Sequence, residues 1–156
     1  MHLHFVFIGK TAFADIDSAI QRYLDRLRHY TPLAIHFLKA EKITKSVSED
    51  AVRERESDRV LDLADKDGAL IVWDQRGKQL TSPELAAFFE RFQIQGQANV
   101  WMVIGGPVGV SPKLRERASA VLSLSRMTLP HDLARLVVME QVYRAFTILK
   151  GEPYHK

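Results

Sequence analysis

Short, wholly apolar runs alternate along this chain with segments of helical period, and that alternation constrains the fold more than any other feature. Residues 69–73 (Ala69, Leu70, Ile71, Val72, Trp73) and 100–104 (Val100, Trp101, Met102, Val103, Ile104) are apolar at every position. Strands of that kind are covered on both faces, as in a parallel sheet flanked by helices. Residues 3–8, 33–38 and 121–124 read as three further strands. Between them, Ile16, Ile20, Tyr23, Leu24 and Leu27 recur at helical spacing within residues 15–30. Residues 48–64 predict a solvated helix with a thin apolar stripe of Val52, Val60, Leu61 and Ala64. In Thr81-Ser82-Pro83-Glu84, Thr81 can cap a helix, Glu84 can reach back to it, and proline is tolerated in the first turn; Gly96 closes that helix. Ser111-Pro112 starts another by the same logic, and a last helix covers residues 133–149 before Gly151. The order βαβαβαβαβα predicts an α/β fold with a mainly parallel sheet, one domain over residues 1–156.

The last helix carries Leu133, Leu136, Val137, Val138, Met139, Val142, Tyr143, Phe146, Ile148 and Leu149, almost all the way round. A helix apolar on every side is buried on every side. Burial against a second copy predicts a homodimer with Val138 at the contact; the alternative is a central core helix.

Several function classes fall away. No apolar run approaches the roughly 20 residues that span a bilayer, and the first eight residues read as a strand rather than a signal peptide. The chain has 0 cysteines, which removes disulfides and thiolate metal sites and fits a reducing, cytoplasmic setting. Net charge is +3 and unevenly spread: residues 1–110 hold 14 Lys/Arg against 15 Asp/Glu, residues 111–156 hold 8 against 4. The basic C-terminal part suits a polyanionic partner or an ordinary solvated face.

In open α/β sheets, ligands bind beyond the carboxyl ends of the strands. Three loops meet that description: residues 74–77 (Asp74-Gln75-Arg76-Gly77), 105–109 (Gly105-Gly106-Pro107-Val108-Gly109) and 125–130. Paired glycines permit positive φ and close approach of backbone to a ligand, or simply a tight turn. No lysine-serine or lysine-threonine follows them, so a nucleoside triphosphatase is unsupported. Nor does Gly-x-Gly-x-x-Gly follow the first strand, where the ordinary dinucleotide fold places it. None of the six histidines has a metal-ligand spacing, so no metal is expected. His131 and His155 lie in the basic part. Glu140 and Arg144 stand four apart on the last helix, as an intrahelical pair or as part of a site. The tail Tyr154-His155-Lys156 combines groups that stack on a base and contact phosphate, unless it is a frayed end.

Four ordered blocks are similar to one family. They are Ile104-Gly105-Gly106-Pro107-x-Gly109; Leu122-Ser123-Leu124-Ser125-x-Met127-Thr128-Leu129-Pro130-His131; Glu140-Gln141-x-Tyr143-Arg144-Ala145; and the terminal Pro153-Tyr154-His155-Lys156. The whole chain resembles the ribosomal RNA large subunit methyltransferase H family, pseudouridine N3-methyltransferases of the knotted SPOUT class; residues 41–66 carry little of that signal. The resemblance implies a trefoil knot near the C-terminus, a homodimer, and S-adenosylmethionine held bent by the knot loops. It implies cofactor contacts from Trp73, where leucine is often seen, Gly105, Gly106, Ser125, Arg126, Met127, Thr128, Leu129 and Pro130. The target it implies is N3 of a pseudouridine in 23S ribosomal RNA, in a stem-loop near the decoding site of the assembled ribosome. A group must take the imide proton of that nitrogen, and His131, Tyr154 and His155 are candidates, with Arg144 supporting the anion. Two rivals are a non-catalytic ribosome-binding module of the same fold and a transfer RNA methyltransferase of the same class.

Overall fold

The structure, a computed structural model, describes residues 1–155; Lys156 of the expected tail lies outside the described residues. Ten elements and a short terminal turn alternate along it: β1 (His2–Ile8), α1 (Ala14–Leu27), β2 (Leu33–Leu38), α2 (Glu49–Leu63), β3 (Ala69–Gln79), α3 (Ser82–Ile94), β4 (Asn99–Ile104), α4 (Pro112–Arg117), β5 (Ala120–Ser123), α5 (His131–Leu149) and a 3-10 turn at Pro153–His155. The five strands form one sheet in the order β2-β1-β4-β3-β5, every neighbouring pair parallel.

Strand periodicity sorts the apolar side chains into two cores. Leu3, Phe5 and Phe7 of β1, Ile71 of β3 and Met102 of β4 pack with Leu24 of α1, Phe89 of α3 and Phe146 of α5. Val6, Val72 and Val103, one position out of step on the same strands, pack with Val60 of α2 and Leu114 of α4. The result is a three-layer sandwich with α1, α3 and α5 on one face and α2 and α4 on the other. The predicted caps form: Thr81 and Glu84 make a capping box on α3, and Ser111 accepts from the Leu114 N–H on α4.

α5 packs against both α1 and α3. Val138, Met139, Val142, Ala145 and Phe146 are thereby buried in the chain's own core. This corrects the expectation for Val138, which lies in the core and not at a contact with another copy. Placing one helix between two others above the sheet buries part of the all-round apolar pattern; Leu133, Leu136, Val137, Tyr143, Ile148 and Leu149 are left partly exposed.

β5 is the edge strand beyond β3, whereas the start of α5 meets the end of β1. There the Arg135 guanidinium donates to the Ile8 carbonyl at 2.6 Å, and the Ala12 N–H donates to Asp132 at 2.8 Å. The segment from β5 to α5 therefore crosses the carboxyl ends of β3 and β4, which sets it beside the glycine loop.

Candidate active site

A cleft of about 710 Å³ opens at the carboxyl ends of β3, β4 and β5, walled by the three loops singled out from sequence. Each loop is held by local hydrogen bonds. In the first, the Arg76 N–H donates to Asp74 at 2.9 Å, and Asp74 pairs with Arg115 of α4 at 3.5 Å. Arg115 also donates to the Val110 carbonyl at 2.7 Å, tying the first loop to the glycine loop. In the third, the Met127 N–H donates to Ser125 Oγ at 2.9 Å and Thr128 reaches Gln75 at 3.3 Å.

β3 continues past Trp73 to Gln79 instead of ending at the loop. Trp73 and Lys78 both pair with Leu122 of β5, so residues 74–77 are a bulge inside the strand. Gly77 is required there, because a Cβ would stand 2.5 Å from the Leu122 backbone.

The glycine loop does not use its paired glycines for positive φ. Gly105 and Gly106 do not have positive φ; Gly109 does, at 75°. A Cβ on Gly106 would point inward, 3.3 Å from Ile8 Cγ2 and 3.4 Å from Glu56 Oε2. A Cβ on Gly105 would stand 3.0 Å from Val110 Cγ1. Both glycines thus let the loop lie flat on the domain, and only Gly109 supplies the turn.

Of the residues expected to hold a cofactor, Trp73, Gly105, Gly106, Ser125, Met127, Thr128, Leu129 and Pro130 line the cleft; Arg126 is exposed and outside its wall. The expected catalytic residues divide. His131 lines the cleft, with Nε2 3.2 Å from the buried Asp132 carboxylate. Arg144 and Tyr154 sit together at the far end of α5, about 20 Å from His131 by helical rise. There Arg144 pairs with Glu140 at 2.5 Å and its guanidinium stacks 4.7 Å from the Tyr154 ring. The Tyr154 hydroxyl donates to Glu140 at 3.1 Å, and its ring meets Tyr143 edge-on. The tail is therefore docked against α5, and His155 is exposed at its end. Burial, then the Tyr23 hydroxyl and the Glu140 carboxylate, hold the Tyr154 phenol above its ordinary pKa. In this structure its hydroxyl is a hydrogen-bond donor, to Glu140.

Arg53 of α2 also lines the cleft. It lies in the segment with least family signal. The trace it leaves in sequence is one arginine among many charges on α2.

The cleft suits a nucleoside-sized donor. Its volume falls in the range of small-molecule sites. Its walls mix glycines and small side chains with Trp73, Leu124 and Leu129. The Trp73 indole N–H is buried beside it without a partner among the described residues. Met127, 75 % exposed, offers an apolar surface at its rim.

Comparison with known proteins gives first the class. Residues 1–155 match the family described as "Predicted SPOUT methyltransferase", and the chain belongs to that family. Its relatives then narrow the group. A protein of Syntrophobacter fumaroxidans named "Ribosomal RNA large subunit methyltransferase H" is 56 % identical over 100 % of both chains. One of the same name from Geobacter sp. strain M21 is 41 % identical over 99 % of each, and one from Halothermothrix orenii 38 % over 100 % of each. A solved structure of a probable methylase family protein from Haemophilus influenzae Rd KW20 superposes with a TM-score of 0.55 at 16 % identity, covering 99 % of this chain and 70 % of that one, and shares the fold.

Proposed function

We propose that the protein transfers a methyl group from S-adenosylmethionine to N3 of a pseudouridine in 23S ribosomal RNA, on the assembled ribosome in the cytoplasm. The observation that carries this reading is the cleft where the three late loops converge, in a chain whose full-length relatives bear a ribosomal RNA methyltransferase name. Trp73, Gly105, Gly106, Ser125 and residues 127–130 would hold the donor. S-adenosylmethionine supplies a methyl group already activated on a sulfonium, so placement of the acceptor does much of the work.

The acceptor nitrogen carries an imide proton that must leave. His131 is the titratable imidazole in the cleft wall, and it takes that role in this proposal. Tyr154, kept protonated, turns its single O–H from Glu140 to the developing anion, and Arg144 neutralises it. Since Arg144 and Tyr154 stand about 20 Å from the cleft of their own chain, they complete the cleft of a second copy, in a homodimer packed through the partly exposed side of α5. Threading of the segment after β5 as a trefoil knot belongs to the same reading.

The test is methylation in vitro with radiolabelled donor. Assembled ribosomes should be modified at N3 of one pseudouridine, with little transfer to protein-free ribosomal RNA or transfer RNA. Equal transfer to transfer RNA would overturn the assignment of substrate.

A further inference from the structure

α2 reads in sequence as a solvated helix, yet one of its faces is engaged throughout. Arg53, Glu56, Ser57 and Val60 follow the i, i+3, i+4, i+7 spacing of a single face. That face lies against residues 105–111. The Arg53 Nε–H donates to the Val108 carbonyl at 2.8 Å. Ser57 Oγ accepts from the Ser111 N–H at 2.9 Å, both residues buried. Glu56, 3 % exposed, fills the stripe position between Val52 and Val60 where an apolar side chain would be ordinary. One of its oxygens accepts from the Glu41 N–H at 2.9 Å. The other, Oε2, has no partner among the described residues and abuts Gly106. Arg59, on the same helix, donates to the Lys39 carbonyl at 2.7 Å and pairs with Glu41, so the segment before α2 is tied to it.

A buried carboxyl with an unpaired oxygen is costly to keep. It persists here against Gly106, where an added Cβ would stand 3.4 Å from that oxygen and 3.3 Å from Ile8 Cγ2. We propose that α2 is part of the cofactor site: Arg53, Glu56 and Ser57 are positioning residues that hold the glycine loop in the shape that receives the donor. The proposal rests on the cofactor reading of the cleft. Burial raises the Glu56 pKa, against the opposing influence of the Glu41 N–H and Arg59. Glutamine keeps the shape and an oxygen to accept from the Glu41 N–H, so it should replace the carboxyl.

The test uses the full chain and isothermal titration with S-adenosylhomocysteine, the stable demethylated product of the donor. Arg53→Ala and Glu56→Ala should each weaken binding by about tenfold, the usual order for one lost loop contact. Glu56→Gln should stay within about threefold of the parent. Arg53→Lys should not rescue, because an ammonium cannot reproduce the Nε–H geometry. The KM for ribosomes should be unchanged in every variant. Should Glu56→Ala fail to fold, Arg53→Ala, Arg53→Lys and Glu56→Gln carry the test. Parent-like affinity in Arg53→Ala, or a Glu56→Gln as weak as Glu56→Ala, would overturn the role of α2. A parent protein that does not bind S-adenosylhomocysteine would overturn the cofactor reading itself.

Discussion

Replacing Arg135 with methionine should destabilise the domain by about 3–5 kcal/mol, the usual cost of stranding one member of a buried ion pair. Arg135 is 0 % exposed. Its guanidinium bonds the Ile8 carbonyl at 2.6 Å, reaches Thr11 and Asp132 at 3.3 Å each, and lies 4.9 Å from the centre of the Phe7 ring. Asp132, 2 % exposed, then keeps, among the described residues, only the Ala12 N–H and the partly exposed His131 as partners. Methionine fills much of the same space, so the loss reports the uncompensated carboxylate and not a cavity. Urea unfolding at fixed protein concentration, followed by tryptophan fluorescence, measures it. With a slope of about 2 kcal/mol per M, the midpoint should fall by roughly 1.5–2.5 M. Asp132→Asn combined with Arg135→Met should recover part of the loss, with a coupling of roughly 1–3 kcal/mol in the double-mutant cycle. A single-variant loss below about 1 kcal/mol, or strict additivity, would refute the claim that this pair pins the start of α5, and His131 with it, to the end of β1.

Three other outcomes follow from the same geometry. Gly106→Val should weaken S-adenosylhomocysteine binding by at least about tenfold in titration calorimetry, because its methyl groups collide with Ile8 and Glu56 and lift the loop; parent affinity would show that the loop's position is irrelevant to the ligand. Deleting Tyr154–Lys156 should leave that binding nearly intact while methyl transfer to ribosomes falls by about a hundredfold, and full turnover of the truncated chain would return the tail to a structural role. His4 and His36 are held below their ordinary pKa by burial, His4 with a partly offsetting bond to Asn99; the unfolded chain therefore binds more protons as pH falls through about 6.5, and stability present above that value is lost on acidification. Melting curves should show the parent losing more stability than His36→Gln between about pH 7.5 and about pH 5.5, and equal losses would exclude this pair as the cause.

The strands were legible wherever burial on both faces made every residue apolar, as at Val100–Ile104, and the helix starts wherever a cap preceded a proline. In sequence only residues 69–73 of β3 read as strand, because Asp74-Gln75-Arg76-Gly77 is polar; nothing local signals that Gly77 lets a bulge form and the strand resume. The glycine loop was located from sequence, but the need for Gly105 and Gly106 depends on Val110, Ile8 and Glu56, which only the fold brings near. Ser125, residues 127–130 and His131 carry the motif and meet at one cleft, with Arg126 outside its wall. Arg144 and Tyr154 matched their motif equally well and sit at the opposite end of α5, a separation that helix length decides and residue type does not. Arg53 was missed because one cation in a charged helix has no distinguishing neighbour in sequence. Glu56 left a fainter mark, a carboxyl in the Val52–Val60 stripe, whose meaning emerges once the stripe is seen to face the loop.

The central claim is that this chain methylates a pseudouridine of large-subunit ribosomal RNA. Mass spectrometry of nuclease fragments of 23S ribosomal RNA, from cells with and without the gene for this protein, tests it most directly. The account predicts one fragment that carries a methylated pseudouridine in the parent, loses a single methyl group in the deletion strain, and regains it on complementation with the parent but not with His131→Ala. Identical fragment masses in parent and deletion strains would contradict it.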